Sequence, residues 1–528
     1  MPRNPQIILI SDHLDPEPLF LMKSLGVQKV AHELRQAGYE VVVLHHIHIY
    51  SIDEIQHMLK SLVSDRLLFI GVSPGFYMSL SKPDSLKEAG HWSCHWQGKE
   101  LGAMFPHGRE YNRVIKDFVR GLNPQVKWVV GGPDAVEMSY NRDYDYVIEG
   151  FGDLSIVNLA RHLEHGEKLN KSYRSLQGYT IIRDTKAEGF DFPNSTMEWL
   201  PEDAILPDEV LSIEISRGCR FKCTFCAYPL NGRKKGEYIK HEDLLRQEFI
   251  TNYERFGTTR YMFVDDTFNE SEEKVDMMWR ISKSLPFKLE YWAYIRLDLL
   301  GAHKSMTDKL FESGCRSAFF GIETFNKRTG QIIGKNGRRD QQIATLNYIR
   351  DRFGDKIALH ANFLIGLPEE PIESVRETQA WLLNERNVLN SFWLAPLRLR
   401  SPELMSVSSD EFVSDLDKDP ARYGYQIKDI IQQNWATWTS PWMDYDTAKQ
   451  ICDETQAKTM HLQEPEGRRV FYLASLGYDL DKLIGKKNPE LPWEEFRAQK
   501  MRKIEQMKIA VYQAHNIPNF VPSATTTI

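Results

Sequence analysis

Leu211-Ser212-Ile213-Glu214-Ile215-Ser216-Arg217-Gly218-Cys219-Arg220-Phe221-Lys222-Cys223-Thr224-Phe225-Cys226 is the stretch around which this chain is organised. Its first five residues form an alternating apolar run that reads as a strand. Cys219, Cys223 and Cys226 then follow in C-x3-C-x2-C spacing, with Phe225 immediately before the last. Three thiolates on a short loop after a strand can grip three corners of a cubane [4Fe–4S] cluster. One iron is then left without a protein ligand, unlike the fully cysteine-ligated clusters of electron carriers. An open iron is a place to bind and activate another molecule. A zinc site would call for four closed ligands in paired spacing, and no second pair follows.

Working outward, 528 residues are enough for two to four domains. An apolar share of 42% and a charged share of 26% are those of a soluble globular protein. No run of about 18 apolar residues is present, so no membrane span is expected. Met1-Pro2-Arg3-Asn4-Pro5-Gln6 leads directly into an apolar strand, without the regions of a signal peptide. With 66 basic and 73 acidic residues the net charge is −7, which does not support a general nucleic-acid surface. Six cysteines, three of them clustered, make no disulfide framework and favour a reducing cytoplasm.

Upstream of the cysteines the expected fold is α/β. Strands are read at 6–10, 40–44, 67–72, 127–130 and 146–149, with helices near 19–38, 52–62, 110–121 and 153–165 between them. Near-continuous apolar strands alternating with helices indicate a doubly wound parallel sheet covered on both faces. Such sheets bind ligands beyond the carboxyl ends of their strands, where the glycines at 131, 132, 150 and 152 fall. Val129-Val130-Gly131-Gly132-Pro133 and Val147-Ile148-Glu149-Gly150-Phe151-Gly152-Asp153 resemble the cobalamin-binding domain that precedes many radical S-adenosylmethionine enzymes. That resemblance implies cobalamin contacts at Ser73, Gly75, Gly131, Gly132, Pro133, Glu149, Gly150 and Gly152. The D-x-H-x-x-G motif, which supplies a cobalt-ligating histidine in other cobalamin proteins, is absent. The stretch from Lys82 to Gly108 reads as an insertion rich in Trp and His, a loop held by its own aromatics. His45, His46 and His48 read as solvated or capping residues.

Downstream, strands at 261–264, 289–294, 317–320, 358–364 and 391–394 alternate with helices. With the strand before Cys219 they make six β/α units, a partial TIM-like barrel whose chemistry lies at the strands' carboxyl ends. Asp265 and Asp266, Arg296 and Asp298, Glu323, and Gly366-Leu367-Pro368 fall at those ends in order. Together with the cysteine loop they resemble the radical S-adenosylmethionine superfamily. The resemblance implies cluster ligation by Cys219, Cys223 and Cys226, with the open iron chelating S-adenosylmethionine. It places Phe225 and Tyr228 near adenine, Asp265 and Asp266 near the methionine amine, Arg296 on the carboxylate and Glu323 on the ribose, and it adds Gly366 to the S-adenosylmethionine contacts. It also implies an external one-electron reductant such as flavodoxin or ferredoxin, and a 5′-deoxyadenosyl radical that removes hydrogen from an unactivated carbon. Arg296 with Asp298, and Asp265 with Asp266, can equally be read as ion pairs or helix caps. Cys315 reads as a packing residue.

From 401 onward the chain turns helical, charged and Trp-rich. Trp435, Trp438, Trp442 and Trp493 read as core, with the first three also placed to close the barrel's open side over a substrate. The basic helix near 494–515 reads as a solvated face. The expected division is residues 1–170, a linker at 171–208, the barrel at 209–400 and a helical segment at 401–528. The expected function is cobalamin-dependent methyl transfer to an unactivated carbon of a small metabolite, with cyclisation or rearrangement as variants. The alternatives are a radical enzyme whose first domain no longer binds cobalamin, and a non-catalytic cluster-binding sensor. No catalytic side chain is singled out.

Overall fold

The computed structural model describes residues 4–12, 21–74, 95–96, 99–100, 108–132, 135, 144–175, 178–184, 186–228, 230, 232, 238–335, 338–384, 388–400, 413–432, 435–459, 467–484 and 492–520. Its first strands are β1 (Ile7–Asp12), β2 (Val41–His45) and β3 (Phe69–Pro74). A two-residue antiparallel pair follows, β4 (His95–Trp96) with β5 (Lys99–Glu100), and then β6 (Lys127–Gly132), β7 (Tyr146–Gly150), β8 (Ser172–Arg174) and β9 (Thr180–Asp184). Apart from the β4–β5 pair these form one seven-stranded sheet, in the order β2-β1-β3-β6-β7-β9-β8. Its pairings are parallel except that of β8 with β9. Ile8 on β1 stands between Val42 and Ile70, so the central strands are apolar on both faces and helices must cover both. The strand order switches direction between β1 and β3, and in doubly wound sheets ligands bind beyond the carboxyl ends at such a switch.

The run at 179–182, read as part of a linker, is instead a strand of this sheet. β9 pairs residue for residue with β7, Ile148 opposite Ile182, so the first sheet extends to residue 184. The connecting segment beyond it is pinned by buried charges. Lys23 donates to both Glu209 carboxylate oxygens at 2.8 and 2.7 Å, and Arg35 pairs with Asp203 at 2.7 Å.

The second sheet is β10 (Leu211–Ile213), β11 (Arg260–Phe263), β12 (Glu290–Ile295), β13 (Cys315–Glu323), β14 (Ala358–Ile365) and β15 (Ser391–Pro396). They are parallel and in sequential order, with β10 and β15 at the edges, the open partial barrel expected. Alternation sorts each strand by face. Tyr261, Phe263, Tyr291, Ala293 and Phe320 pack under the surrounding helices. Tyr294, Phe319, His360 and Ser391 form one register row on the inner face. Cys315 is buried, and burial pushes its thiol well up, as suits a packing residue.

The C-terminal segment is mostly helical. It also holds a small antiparallel sheet that the sequence reading did not foresee, β16 (Leu399–Arg400), β17 (Gln426–Gln432) and β18 (Trp435–Thr439). Helix Tyr445–Thr459 packs along β15, and helix Gly467–Ser475 packs on β12, β13 and β14. Val470, Phe471, Tyr472 and Leu473 share one core with Trp292 of the barrel and Ile8 and Trp128 of the first sheet. The inner face is therefore covered by this helix rather than by the Trp-rich stretch, of which Trp438 is fully buried core. The basic helix Trp493–Ala514 is not merely a solvated face, since Lys500 and Lys503 are buried and Lys508 pairs with Glu54 at 2.7 Å. Among the described residues no helix is long and apolar enough to cross a membrane.

Candidate functional site

The cysteine loop leaves β10 through Ser216-Arg217-Gly218, where Gly218 takes a φ of +125° that favours glycine. Asp265, at the carboxyl end of β11, grips that exit. Its Oδ1 accepts the Ile215 and Ser216 N–H groups at 2.9 and 3.2 Å. Its Oδ2 accepts the Ser216 hydroxyl at 2.9 Å and pairs with Lys274 at 2.5 Å. Lys274 is wholly buried and also reaches Glu270 at 3.4 Å and the Thr267 carbonyl at 3.3 Å. Burial works against its charge, but the Asp265 and Glu270 carboxylates outweigh burial and hold it protonated. Glu270 in turn accepts the Arg220 N–H at 3.1 Å and the Tyr238 hydroxyl at 2.8 Å. The Cys219 thiol donates to the Thr267 hydroxyl at 3.5 Å. With both its oxygens engaged, Asp265 braces the start of the loop. Lys274, Glu270 and Thr267 were not singled out from the sequence, because Glu-Glu-Lys at the start of a helix reads as a solvated turn.

The far side of the loop is held by Arg296. Its guanidinium lies 4.0 Å from the Phe221 ring centroid and 3.8 Å from the Cys223 sulfur, and donates to the Gly334 carbonyl at 3.1 Å. Asp298 takes its fork at 3.1 and 2.6 Å. The ion pair with Asp298 expected for Arg296 is therefore formed in this structure. Next to it, the Thr224 N–H donates to the Ile333 carbonyl at 3.3 Å, and Lys335 lies 5.7 Å from the Phe225 ring centroid. Lys335 also donates to Glu323 at 3.1 Å, and Asn362 to the other Glu323 oxygen at 2.9 Å. Glu323 sits at a register shift of β13 with a φ of +65°, a conformation uncommon for a non-glycine residue at a strand end. A carboxylate has about four acceptor sites, and among the described residues Lys335 and Asn362 use two of those on Glu323.

The three thiols are free of disulfides on one loop. Burial pushes the Cys219 and Cys223 thiols up, against which Lys335 and Arg296 act at Cys223. Iron takes thiolate, so a bound cluster would displace protons that burial favours, and the donor set fits it. Among the described residues no three His, Cys, Asp or Glu side chains gather closely enough for a single ion. A cubane puts each thiolate on its own iron and needs no such gathering.

Asp266 is exposed where Asp265 is buried, although many protein atoms lie around it. Burial, then the neighbouring Asp265 charge, raises its pKa to about 7. The Tyr228 hydroxyl is raised by burial and by Asp266, which places the two together. Phe225, Tyr228, Asp266 and Glu323 thus stand around the loop. Gly366, at the end of β14, lies against the C-terminal segment. Its φ is +92°, and a Cβ there would lie 2.3 Å from the Trp438 ring, so this glycine admits the C-terminal aromatic.

At the first sheet, Ser73, Gly131, Gly132, Glu149, Gly150 and Gly152 fall together at the carboxyl ends of β3, β6 and β7. Gly132 and Gly150 take φ of +131° and +99°. Gly75, Pro133 and nearly all of the insertion lie outside the described residues. Glu149 pairs with Arg183 at 2.9 Å. His45 and His46 are buried rather than solvated, because the chain folds back at Ile47–Ile49 and Trp199 covers His45 at 6.1 Å between ring centroids.

The two strand-end regions meet at Arg217. It donates to Glu214 at 2.9 and 2.9 Å and to Asp153, in the turn after β7, at 2.7 Å. The glycines at the ends of β6 and β7, next to the β1–β3 switch in strand order, leave backbone open toward the second strand-end site.

Residues 213–382 match the family model of the radical SAM superfamily, so the chain carries a radical SAM domain, which implies S-adenosylmethionine and a [4Fe–4S] cluster. An uncharacterized methyltransferase of Pyrococcus horikoshii is 27% identical over 285 residues, 50% of this chain and 59% of that protein. One from a Synechocystis strain is 28% identical over 218 residues, 39% of this chain and 37% of that protein. This chain thus spans little more than half of the first relative and about a third of the second. Among solved structures, the radical S-adenosylmethionine methyltransferase TsrM from Kitasatospora setae, bound to tryptophan substrate and a SAM analogue, superposes with a TM-score of 0.61 at 15% identity. The alignment covers 95% of this chain and 99% of that one. The cobalamin-dependent S-adenosylmethionine radical enzyme OxsB, with aqua-cobalamin and S-adenosylmethionine bound, gives 0.59 at 13% identity, covering 97% and 72%. At such identities the likeness establishes the fold.

Proposed function

We propose that this protein is a cobalamin-dependent radical S-adenosylmethionine enzyme that methylates an unactivated carbon of a small molecule. The observation that carries the reading is the meeting of two strand-end sites, the Gly150–Asp153 turn and the cysteine loop, through Arg217. On this reading residues 1–170 and β9 hold cobalamin, and residues 209–400 hold the cluster and S-adenosylmethionine. The fold neighbour with cobalamin bound supports the cobalamin assignment. The relatives and the fold neighbour TsrM that are described as methyltransferases favour methyl transfer over cyclisation or rearrangement. When bound, the cofactors supply hydrogen-atom abstraction and the methyl group.

The chain's own residues supply binding, orientation and exclusion of water. The carboxylate of Glu323 suits ribose hydroxyls, and Asp266 and Tyr228 line the space beside the loop. Tyr294, Phe319 and His360 wall the barrel's inner face under helix Gly467–Ser475, which keeps water from a reactive carbon. His360 is oriented by the Ser391 hydroxyl at 2.7 Å. An external one-electron reductant, flavodoxin or ferredoxin, and a reducing cytoplasm complete the reading. The test is anaerobic. Reconstituted protein mixed with hydroxocobalamin and desalted should retain the corrin absorbance, and with reductant and S-adenosylmethionine it should release 5′-deoxyadenosine. Protein that keeps its irons but retains no corrin would refute the cobalamin assignment.

A further inference from the structure

Arg217 lies two residues before Cys219, and its guanidinium is divided between the two sheets. Nε and Nη2 donate to Glu214 at the end of its own strand, and Nη1 donates to Asp153, the first residue of the helix after β7. Both Arg217 and Asp153 are buried, at 6% and 3% exposure. Three aromatic rings surround the cation, Phe151 at 5.1 Å from the turn itself, and Phe190 at 5.2 Å and Phe192 at 5.0 Å from the connecting segment. The turn has little freedom of its own. The Phe151 N–H is bound to the Asp184 carbonyl at 2.9 Å, and a Cβ at Gly152 would already press Val30 at 3.0 Å. The other end of the linkage is as tight, because the Arg217 N–H donates to the Tyr238 carbonyl at 2.9 Å and Tyr238 in turn holds Glu270. Moving the Gly150–Asp153 turn must therefore move Arg217, and with it the start of the cysteine loop, or break a buried ion pair.

We propose that Arg217 is a positioning residue that couples whatever occupies the carboxyl end of the first sheet to the geometry of the cysteine loop, so that binding at either place changes the affinity at the other. The identity of that occupant as cobalamin rests on the function proposed above; the linkage rests on the side chains alone. Coupling of this kind is reciprocal, and its usual size is about 5-fold or more in affinity.

Two measurements test it. The first needs no cobalamin. Release of iron to a chelator from reconstituted Asp153→Leu, a change of similar size in the other sheet that removes the acceptor, should be about 5-fold or more faster than from wild type, with an altered paramagnetic resonance spectrum of the reduced cluster. Asp153→Leu combined with Arg217→Met should release iron no faster than Arg217→Met alone, since both changes cut one linkage. Wild-type release and spectrum in Asp153→Leu would overturn the proposal. In the second, the hydroxocobalamin dissociation constant of wild type should differ about 5-fold or more between the apo and cluster-loaded forms, and by less than twofold in Arg217→Lys. Equal coupling in that variant would also overturn it. If wild type retains no corrin in either form, the cobalamin reading fails, and the iron-release comparison alone decides the linkage.

Discussion

The barrel's strand ends and the first sheet's strand ends solve the same problem with opposite materials. At the barrel, charged side chains saturate one another around the cysteine loop, with Asp265, Lys274 and Glu270 on one side and Arg296, Asp298 and Lys335 on the other. At the first sheet the corresponding positions are glycines and backbone, with Glu149 closed off by Arg183. A loop that must hold a cluster in one geometry benefits from a buried network in which every partner is satisfied. A surface that must accept a broad planar ligand needs backbone without side chains in the way. The contrast is between a cysteine loop braced by paired charges and a sheet end that leaves its backbone open.

The largest expected effect lies at the sulfurs themselves. Cys219→Ala, Cys223→Ala and Cys226→Ala should each reduce reconstituted iron from about four per chain to near none. Wild type that binds no iron would break the comparison at its root. Next comes the network. Lys274→Met leaves Asp265 and Glu270 buried without their cation and should cost about 3–5 kcal/mol in denaturant unfolding. A loss under about 1 kcal/mol would mean that the loop is not held by charge after all.

Both sites were legible in the sequence to different depths. The C-x3-C-x2-C spacing and the order of strand-end residues located the loop and the barrel, because those signals are short-range. What Asp265 and Arg296 touch was not legible. A carboxylate or guanidinium at a strand end is equally ready for a ligand or for a neighbour, and only tertiary packing decides between them. Lys274 and Lys500 were unreadable for a related reason, since buried lysines inside charged helical text look like a solvated face. β9 lies within the stretch read as a linker, because its partner β7 is about thirty residues earlier, beyond any local pattern.

Gly366 sharpens the contrast from within the barrel. It stands at a strand end like the glycines of the first sheet, yet Trp438 fills the space above it. Gly366→Ala should cost about 1–3 kcal/mol by overpacking, with an added penalty for alanine at positive φ. Trp438→Leu in the same chain should return part of that loss, and the cycle of single and double variants isolates the contact. Unchanged stability with weakened S-adenosylmethionine binding would return Gly366 to the ligand and erase the distinction drawn here.

The smallest effect is a slope in pH. Each strand-end region buries a carboxyl whose pKa burial raises, Glu370 at the barrel and Asp184 at the first sheet. Burial raises Glu370 from 4.5 to about 8, only partly offset by the Thr324 hydroxyl at 2.5 Å and the Leu367 backbone. For Asp184 burial likewise raises the pKa, and the Ser155 hydroxyl at 2.8 Å opposes it. In both, the folded chain binds a proton more tightly than the unfolded chain. That stability is fully present below the ordinary carboxyl pKa and is lost as pH rises through the folded value. For Glu370 the window is about pH 4.5 to 8, and the slope at its steepest is roughly 1.4 kcal/mol per pH unit. Glu370→Gln keeps an acceptor for Thr324 and cannot ionise. Its stability relative to wild type should therefore rise steadily across that window in denaturant titrations. Asp184→Asn should shift in the same direction. Parallel pH–stability curves for wild type and Glu370→Gln would show that the barrel end buries no extra proton.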